Sequence, residues 1–406
     1  MTINKKVKKG LVVLLILALQ VSCKTDTKGN DSNIKETAAL NFDALDTQLK
    51  EFESKKDLPG FVVAIFNKDS MLFSKGYGYA DIENEKLYDE NTIQGIASVS
   101  KSFISVALMK AVQQGHIDLD ATINSYLPYE VINPHYPDVE ITVRHLATHT
   151  SSFNDEPNRG KGNIFSKKLQ KENWREVWHP IIEKYNRNKP EPMDTFLAKM
   201  FNPEGEWYSE ENFIKHRPGT FYKYSNFASA LLAQIIEITT KTDYKEYTKN
   251  EIFIPLNMAQ TGWSREAVDS INHVQYYNDN YKPVPHYSII TYPDGGVYSS
   301  VSDLTLYLQE MMKGYYGESD FLSHDSFKEM MTSQSKLLDT NTGLFWDLDQ
   351  SCCIGHGGND FGIAAMMYLD IRDSLGRIVL SNIDVQQENQ ENAFYGIFNQ
   401  TFISSE

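Results

Sequence analysis

Apolar and polar positions divide the chain into a small set of elements. Residues 41–56 (NFDALDTQLKEFESKK) carry apolar side chains at helical spacing and stop at Leu58-Pro59-Gly60. Residues 61–66 (FVVAIF) and 71–79 (MLFSKGYGY) are β-rich runs around a polar turn at 67–70, which predicts a hairpin. Residues 98–114 (SVSKSFISVALMKAVQQ) form the strongest helical pattern, ended by Gly115, and residues 227–240 (FASALLAQIIEITT) form another. Near the far end, 362–369 (GIAAMMYL) and 377–381 (RIVLS) read as strands joined by a turn at 373–376, with a helical tail over about 388–403. Strands at both ends and helices between them predict an α+β fold. Its sheet is assembled from the two chain termini and flanked by helices. The stretch 153–218 is charged, contains Trp174, Trp178 and Trp207, and has no clean period; it reads as a helical or loop subdomain inserted in the fold.

The first forty residues follow a different pattern. Lys5, Lys6, Lys8 and Lys9 precede the unbroken apolar run 11–19, too short to span ~30 Å of hydrocarbon. That is the plan of a signal peptide, here residues 1–22. Ser22-Cys23 follows at once and resembles a bacterial lipobox, with Gln20 where that motif usually has leucine. The resemblance implies lipidation of Cys23. Residues 23–40 are mostly polar and read as a flexible tether behind the lipid. The expectation is therefore an exported lipoprotein, anchored to a membrane on its periplasmic or cell-surface side, with one large globular domain over 41–400.

Composition narrows the partners. The 406 residues carry 39 Lys+Arg against 54 Asp+Glu, for a net charge of −15. Removing the four leader lysines takes this to −19, so nucleic acid is excluded as a partner. An acidic body has no electrostatic attraction to an anionic bilayer either, which leaves the lipid to hold it there. Three cysteines cannot staple a chain of this length.

Ser98-Val99-Ser100-Lys101 opens the strongest helix. One helical turn brings Ser98 and Lys101 to the same face. A serine hydroxyl is a weak nucleophile, and a lysine with a lowered pKa is a base for it. The tetrad also occurs at Ser32–Lys35 and Ser333–Lys336, neither of which opens an apolar helix. Tyr224-Ser225-Asn226 follows Pro218-Gly219 and precedes the 227–240 helix; a tyrosine there can relay a proton and an asparagine can hold a carbonyl. Tyr276-Tyr277-Asn278 fits the same triplet. Gly355-His356-Gly357-Gly358-Asn359 lies just before the 362–369 strand, where glycines admit close backbone approach and a histidine can polarise a substrate.

In order and spacing these three motifs resemble the serine β-lactamase and penicillin-binding-protein superfamily, in its class C β-lactamase, DD-peptidase and esterase branch. The likeness extends to 98–128, to 141–153 (ITVRHLATHTSSF, with Ser152 where a glycine is usual), to 292–308 (YPDGGVYSSVSDLTLYL) and to 355–362 (GHGGNDFG). The resemblance implies Ser98 as the acylated nucleophile, Lys101 as its proton acceptor or the cation that tunes one, and Tyr224 as general base and acid. It implies Asn226, Gly357, Gly358 and Asn359 as substrate-binding positions, with the backbone N–H groups of Ser98 and Asn359 as the oxyanion hole and His356 assisting. The antibiotic-hydrolysing pattern has Lys-Thr-Gly where this chain has His356-Gly357-Gly358. Neutral histidine and glycine supply neither the cation nor the hydroxyl that holds a substrate carboxylate.

Other features carry less. His145 and His149 are four apart without the glutamate of a His-Glu-x-x-His site, so no metal is expected. Adjacent Cys352 and Cys353 read as two small buried thiols, because a bridge between neighbours is sterically awkward. No phosphate loop, dinucleotide fingerprint or nucleophile elbow is present, and no cofactor is expected. The expected activity is two-step acyl transfer through Ser98 on a small-molecule or peptidoglycan-derived amide or ester: a D,D-peptide, a β-lactam or a small ester. The alternatives are a catalytically silent wall-binding or sensor protein that kept the fold, and a surface adhesin using 153–218.

Overall fold

The computed structural model describes residues 41–269, 271–334, 341–349 and 352–402. The leader, Cys23, the tether, the Ser32–Lys35 tetrad and Lys336 lie outside them.

Helix α1 (Phe42–Lys55) is capped by Asn41, whose side chain accepts from the Ala44 amide, and ends where Lys56 turns left-handed. Strands β1 (Gly60–Phe66) and β2 (Met71–Asp81) form the expected hairpin, followed by a two-residue β3 (Lys86–Leu87). Helix α2 (Lys101–Gln113), the short α3 (Val143–Ala147), α4 (Asn226–Thr240) and α5 (Val301–Tyr315) come next. The chain returns to the sheet as β4 (Asp347–Asp349), β5 (Cys353–Asp360), β6 (Ile363–Asp370) and β7 (Leu375–Ser381), then closes with α6 (Glu388–Gln400).

These strands form one antiparallel seven-stranded sheet in the order β4-β5-β6-β7-β1-β2-β3. The two chain ends meet at the β7–β1 pair, with Phe61 opposite Ser381 and Phe66 opposite Gly376. Strand β1 explains why its sequence is an unbroken apolar run. Val62, Ala64 and Phe66 enter the core shared with α2, α4 and α5, while Phe61, Val63 and Ile65 enter the one beneath α1 and α6. A strand covered on both faces has no polar side to show.

Two local expectations are corrected. The Gly355–Asn359 motif does not merely precede a strand; it is most of β5, paired in register with β6 from Cys353–Asp370 to Asp360–Ile363. Its glycines dilute the apolar signal that marks a strand. Cys352 and Cys353 are not two free thiols, since their sulfurs are bonded to each other. The bonded pair lies where the chain turns into β5, with Cys353 already the first paired residue of that strand.

The stretch 153–218 holds short helical turns, the strand Asn163–Phe165 and the helices His179–Tyr185 and Met193–Phe201. It is pinned to the sheet domain by Phe361, at the β5–β6 turn. Phe361 packs against Phe165, Trp174, Trp178 and Tyr185 at centroid distances of 5.3–5.9 Å. Burying one such ring contributes about 1.5–3 kcal/mol. Arg175 adds an ion pair to the buried Asp279 at 2.5 Å.

Candidate active site

The helical pattern over 98–114 begins as a 3-10 turn, Ala97–Ser100, and only then becomes α2. Ala97 has φ +47°, a left-handed conformation that costs a non-glycine residue roughly 1–2 kcal/mol. That strained corner leaves Ser98 half-buried while Val99, Ser100 and Lys101 point into the protein. Ser100 locks the turn by accepting the Val297 amide at 3.1 Å.

Lys101 is fully buried. Its Nζ donates to Ser98 Oγ at 3.2 Å and to the Asp294 carbonyl at 2.5 Å. The Tyr292-Pro293-Asp294-Gly295-Gly296 turn thus supplies the oxygen that aims the lysine at the serine. Burial pushes the Lys101 ammonium below its ordinary pKa; Asp294, Asp155, Asp360 and Asp347 pull the other way but do not offset it. Asp294 is buried as well, and burial raises its carboxyl above the usual range.

Tyr224 ends the segment before α4, and its ring stands 5.0 Å from Lys101 Nζ. Burial drives its phenol well above the usual value, although the nearby Ser98 hydroxyl favours the phenolate. The hydroxyl makes no well-aligned hydrogen bond to any described residue. The ring rests on His149, with centroids 4.4 Å apart. His149 Nδ1 accepts the Ser225 amide at 3.2 Å, and burial depresses its pKa well below normal, so it is a neutral prop. His145 Nδ1 is engaged by the Thr142 amide. The two histidines thus serve separate backbone contacts.

Asn226 is the first residue of α4 and its Oδ1 is buried without a protein partner among the described residues. Asp155 fixes this helix end. Its carboxylate accepts from Ser225 Oγ and from the Asn226 amide, each at 2.6 Å. Sequence reading did not find Asp155. It lies 70 residues from its partners within a stretch of no clear period, and no local signal links it to them.

His356 comes from β5 and is buried, which lowers its pKa; Lys101 adds to this and Asp347 opposes it. Its Nδ1 faces the Gly357 carbonyl at 2.5 Å. A carbonyl only accepts, so Nδ1 carries the proton and Nε2 is the bare nitrogen. Next, β5 crosses the Ser98 turn. A Cβ at Gly358 would fall 3.1 Å from Ser98 N, 3.2 Å from Val99 N and closer still to the Ile96 carbonyl oxygen. Only glycine lets β5 run this close to the Ser98 amide. Gly357 has no such neighbour; its Cβ would find Tyr368 Oη at 3.9 Å. Asn359 follows, half-buried and paired with Ala364.

The three sequence motifs therefore meet through a 3-10 turn, a helix N-terminus and a strand. The other triplet, Tyr276-Tyr277-Asn278, is structural: Tyr276 Oη accepts the Gly95 amide at 2.8 Å. Ser152, where a glycine is usual in the resemblance, has φ +68°, and its hydroxyl donates to the His216 carbonyl at 2.7 Å. The backbone demands the glycine conformation, and the serine compensates with a hydrogen bond.

Comparison with known proteins bears on the family and the fold. The family model described as Beta-lactamase matches residues 42–400. "Protein flp" of Staphylococcus aureus (strain COL) is 22% identical over 354 residues, which is 84% of this chain and 63% of that protein. The human mitochondrial serine beta-lactamase-like protein LACTB is 28% identical over 315 residues, 66% of this chain and 57% of that one. The chain thus spans less than two thirds of the length of these curated relatives. Among solved structures, the octameric penicillin-binding protein homologue of Pyrococcus abyssi superposes with a TM-score of 0.68 at 23% identity, covering 88% of this chain and 77% of that one. The penicillin-binding protein of Bacillus halodurans gives 0.63 at 17% identity, covering 86% of this chain and 99% of that one.

Proposed function

This chain belongs to the beta-lactamase family of serine hydrolases, and from that premise we propose an esterase-type or amidase-type enzyme that works through an acyl-enzyme on Ser98. The observation that carries the reading is the 3.2 Å contact between Ser98 Oγ and the buried Lys101 Nζ. Burial favours the neutral amine, which takes the Ser98 proton as Oγ attacks the substrate carbonyl. The Tyr224 phenol, held protonated by burial, donates to the departing oxygen or nitrogen and is reprotonated from Lys101. Water then releases the acyl group by the reverse relay. The Ser98 and Asn359 amides would cradle the oxyanion, at ~3–4 kcal/mol of barrier per donor. Asn226 Oδ1 is left to accept from the substrate.

Charge at the third motif supports the choice of substrate class. A D,D-peptide or β-lactam brings a carboxylate to the third motif. Here that motif offers a neutral His356 and two glycines. An ester or amide that is uncharged on that side is the better match. We also propose export and lipidation at Cys23, on the strength of the basic, apolar and Ser-Cys segments of the first 23 residues. Absence of palmitate labelling that depends on Cys23 would remove that part.

The test follows p-nitrophenyl butyrate release and, separately, intact mass after incubation with a penicillin, for the wild type and Ser98→Ala. The expected result is Ser98-dependent ester turnover with no lasting penicillin adduct. Turnover unchanged in Ser98→Ala would end the acyl-enzyme reading. A stable adduct on Ser98 would move the substrate to D,D-peptides.

A further inference from the structure

The Gly295–Gly296 turn that sets Lys101 also borders a second space, a cavity of about 490 Å³. None of Ser98, Lys101, Tyr224 or His356 lines it. Its volume falls within the usual range of small-molecule sites. Its walls are largely apolar, with Ile164 and Phe165 contributed by the 153–218 stretch and Trp263 and Tyr292 by the body of the domain.

Its polar end is cationic. Arg265 is half-buried there and lies against the His286 ring, with Nη1 2.6 Å from Nδ1. Among the described residues no carboxylate comes within ion-pair distance of Arg265. The chain does not lack acids, with 54 against 39 Lys+Arg. Of the two glutamates at the cavity, Glu191 is held by Lys199 at 2.6 Å and Glu266 is exposed. His286 and His273 bring no charge of their own to this end. Burial and Arg265 itself push both imidazoles down to about 4, so they stay neutral. Lys245, poised 4.6 Å from the Tyr292 ring, adds a second cation at the cavity.

A guanidinium that no carboxylate among the described residues pairs with, at the end of an apolar cavity, is complementary to one anionic head on an apolar body. We propose that this cavity is a second ligand site, distinct from the Ser98 site, which takes a monocarboxylate of medium chain length with its carboxylate on Arg265. A bidentate Arg–carboxylate contact supplies the orientation, and the Ile164, Phe165 and Trp263 surface takes the chain.

The experiment is isothermal titration of the full chain with decanoate, alongside Arg265→Gln, Arg265→Lys, Ser98→Ala and, as a neutral probe, decanol. Saturable decanoate binding is expected, weakened about tenfold or more in Arg265→Gln. It should be partly restored in Arg265→Lys, unchanged in Ser98→Ala, and poorly reproduced by decanol. Absence of saturable binding overturns the proposal, as does equal affinity in folded Arg265→Gln. Should Arg265→Gln fail to fold, Arg265→Lys and decanol decide: equal affinity for decanol and decanoate overturns the site. Loss of binding in Ser98→Ala would place the ligand in the catalytic cleft and also overturn it. None of these outcomes depends on whether Ser98 turns over an ester.

Discussion

Placing a methyl group at Gly358 tests how the site is assembled. An alanine Cβ there would lie 3.1 Å from Ser98 N and 3.2 Å from Val99 N, and nearer still to Ile96 O, whereas ordinary contact begins near 3.4 Å. All three neighbours are backbone atoms of the strained turn, so none can swing aside. Strand β5 and the turn must separate by about 1 Å, and a misplacement of that size costs roughly a hundredfold in rate. This agrees with the 10²–10³-fold loss, roughly, on removing one oxyanion donor. Overpacking adds about 1–3 kcal/mol of destabilisation, a fall in Tm of several degrees for a domain of this size. Gly357→Ala is the control one residue away, since its nearest neighbours stand at 3.9 Å and 4.0 Å. The assay is the rate of Ser98 labelling by a fluorophosphonate, with Tm measured on the same samples. Gly358→Ala should label about a hundredfold more slowly while still folded, and Gly357→Ala within a few-fold of wild type. A folded Gly358→Ala that labels at the wild-type rate would refute the close-approach argument, as would equal losses in the two variants.

Asp155→Ala removes two 2.6 Å bonds from the start of α4; charge-assisted bonds of this kind are worth roughly 1.5–3 kcal/mol each, so kcat should fall at least tenfold, and an unchanged kcat would make Asp155 incidental. At Ser152, φ +68° separates two effects: Ser152→Ala loses the bond to His216 and keeps the strain, while Ser152→Gly loses the bond and relieves it. Urea unfolding should therefore find the glycine variant more stable than the alanine variant by about 1 kcal/mol, and equal stability would contradict the strain. Burial lowers the Lys101 pKa, so the neutral amine grows as pH rises through that lowered value, and kcat should rise with it. Lys101→Arg keeps its proton across this range and should lose both activity and the alkaline rise; a pH-independent wild-type profile would remove Lys101 as the base.

What the sequence determined by itself is what short-range chemistry encodes. The β1–β2 hairpin, α1, α4 and the C-terminal strands follow from periodicity and caps, because those elements bury the faces their own residues define. The three motifs were legible because each is a run of a few consecutive residues, as Ser98 and Lys101 are three apart. The order of the motifs was enough to bring the family and its α+β sheet into view. Tertiary structure decided what depends on neighbours distant in the chain. Asp155 fixes α4 across 70 residues, and Asp294 aims Lys101 across 193. The Gly355–Asn359 segment becomes a strand because β6 pairs with it, against its glycine content. The Lys101 and Tyr224 pKa shifts arise from burial that no local pattern reports. A residue type fixes which proton a side chain can carry, but desolvation by the assembled fold fixes the pH at which it lets go.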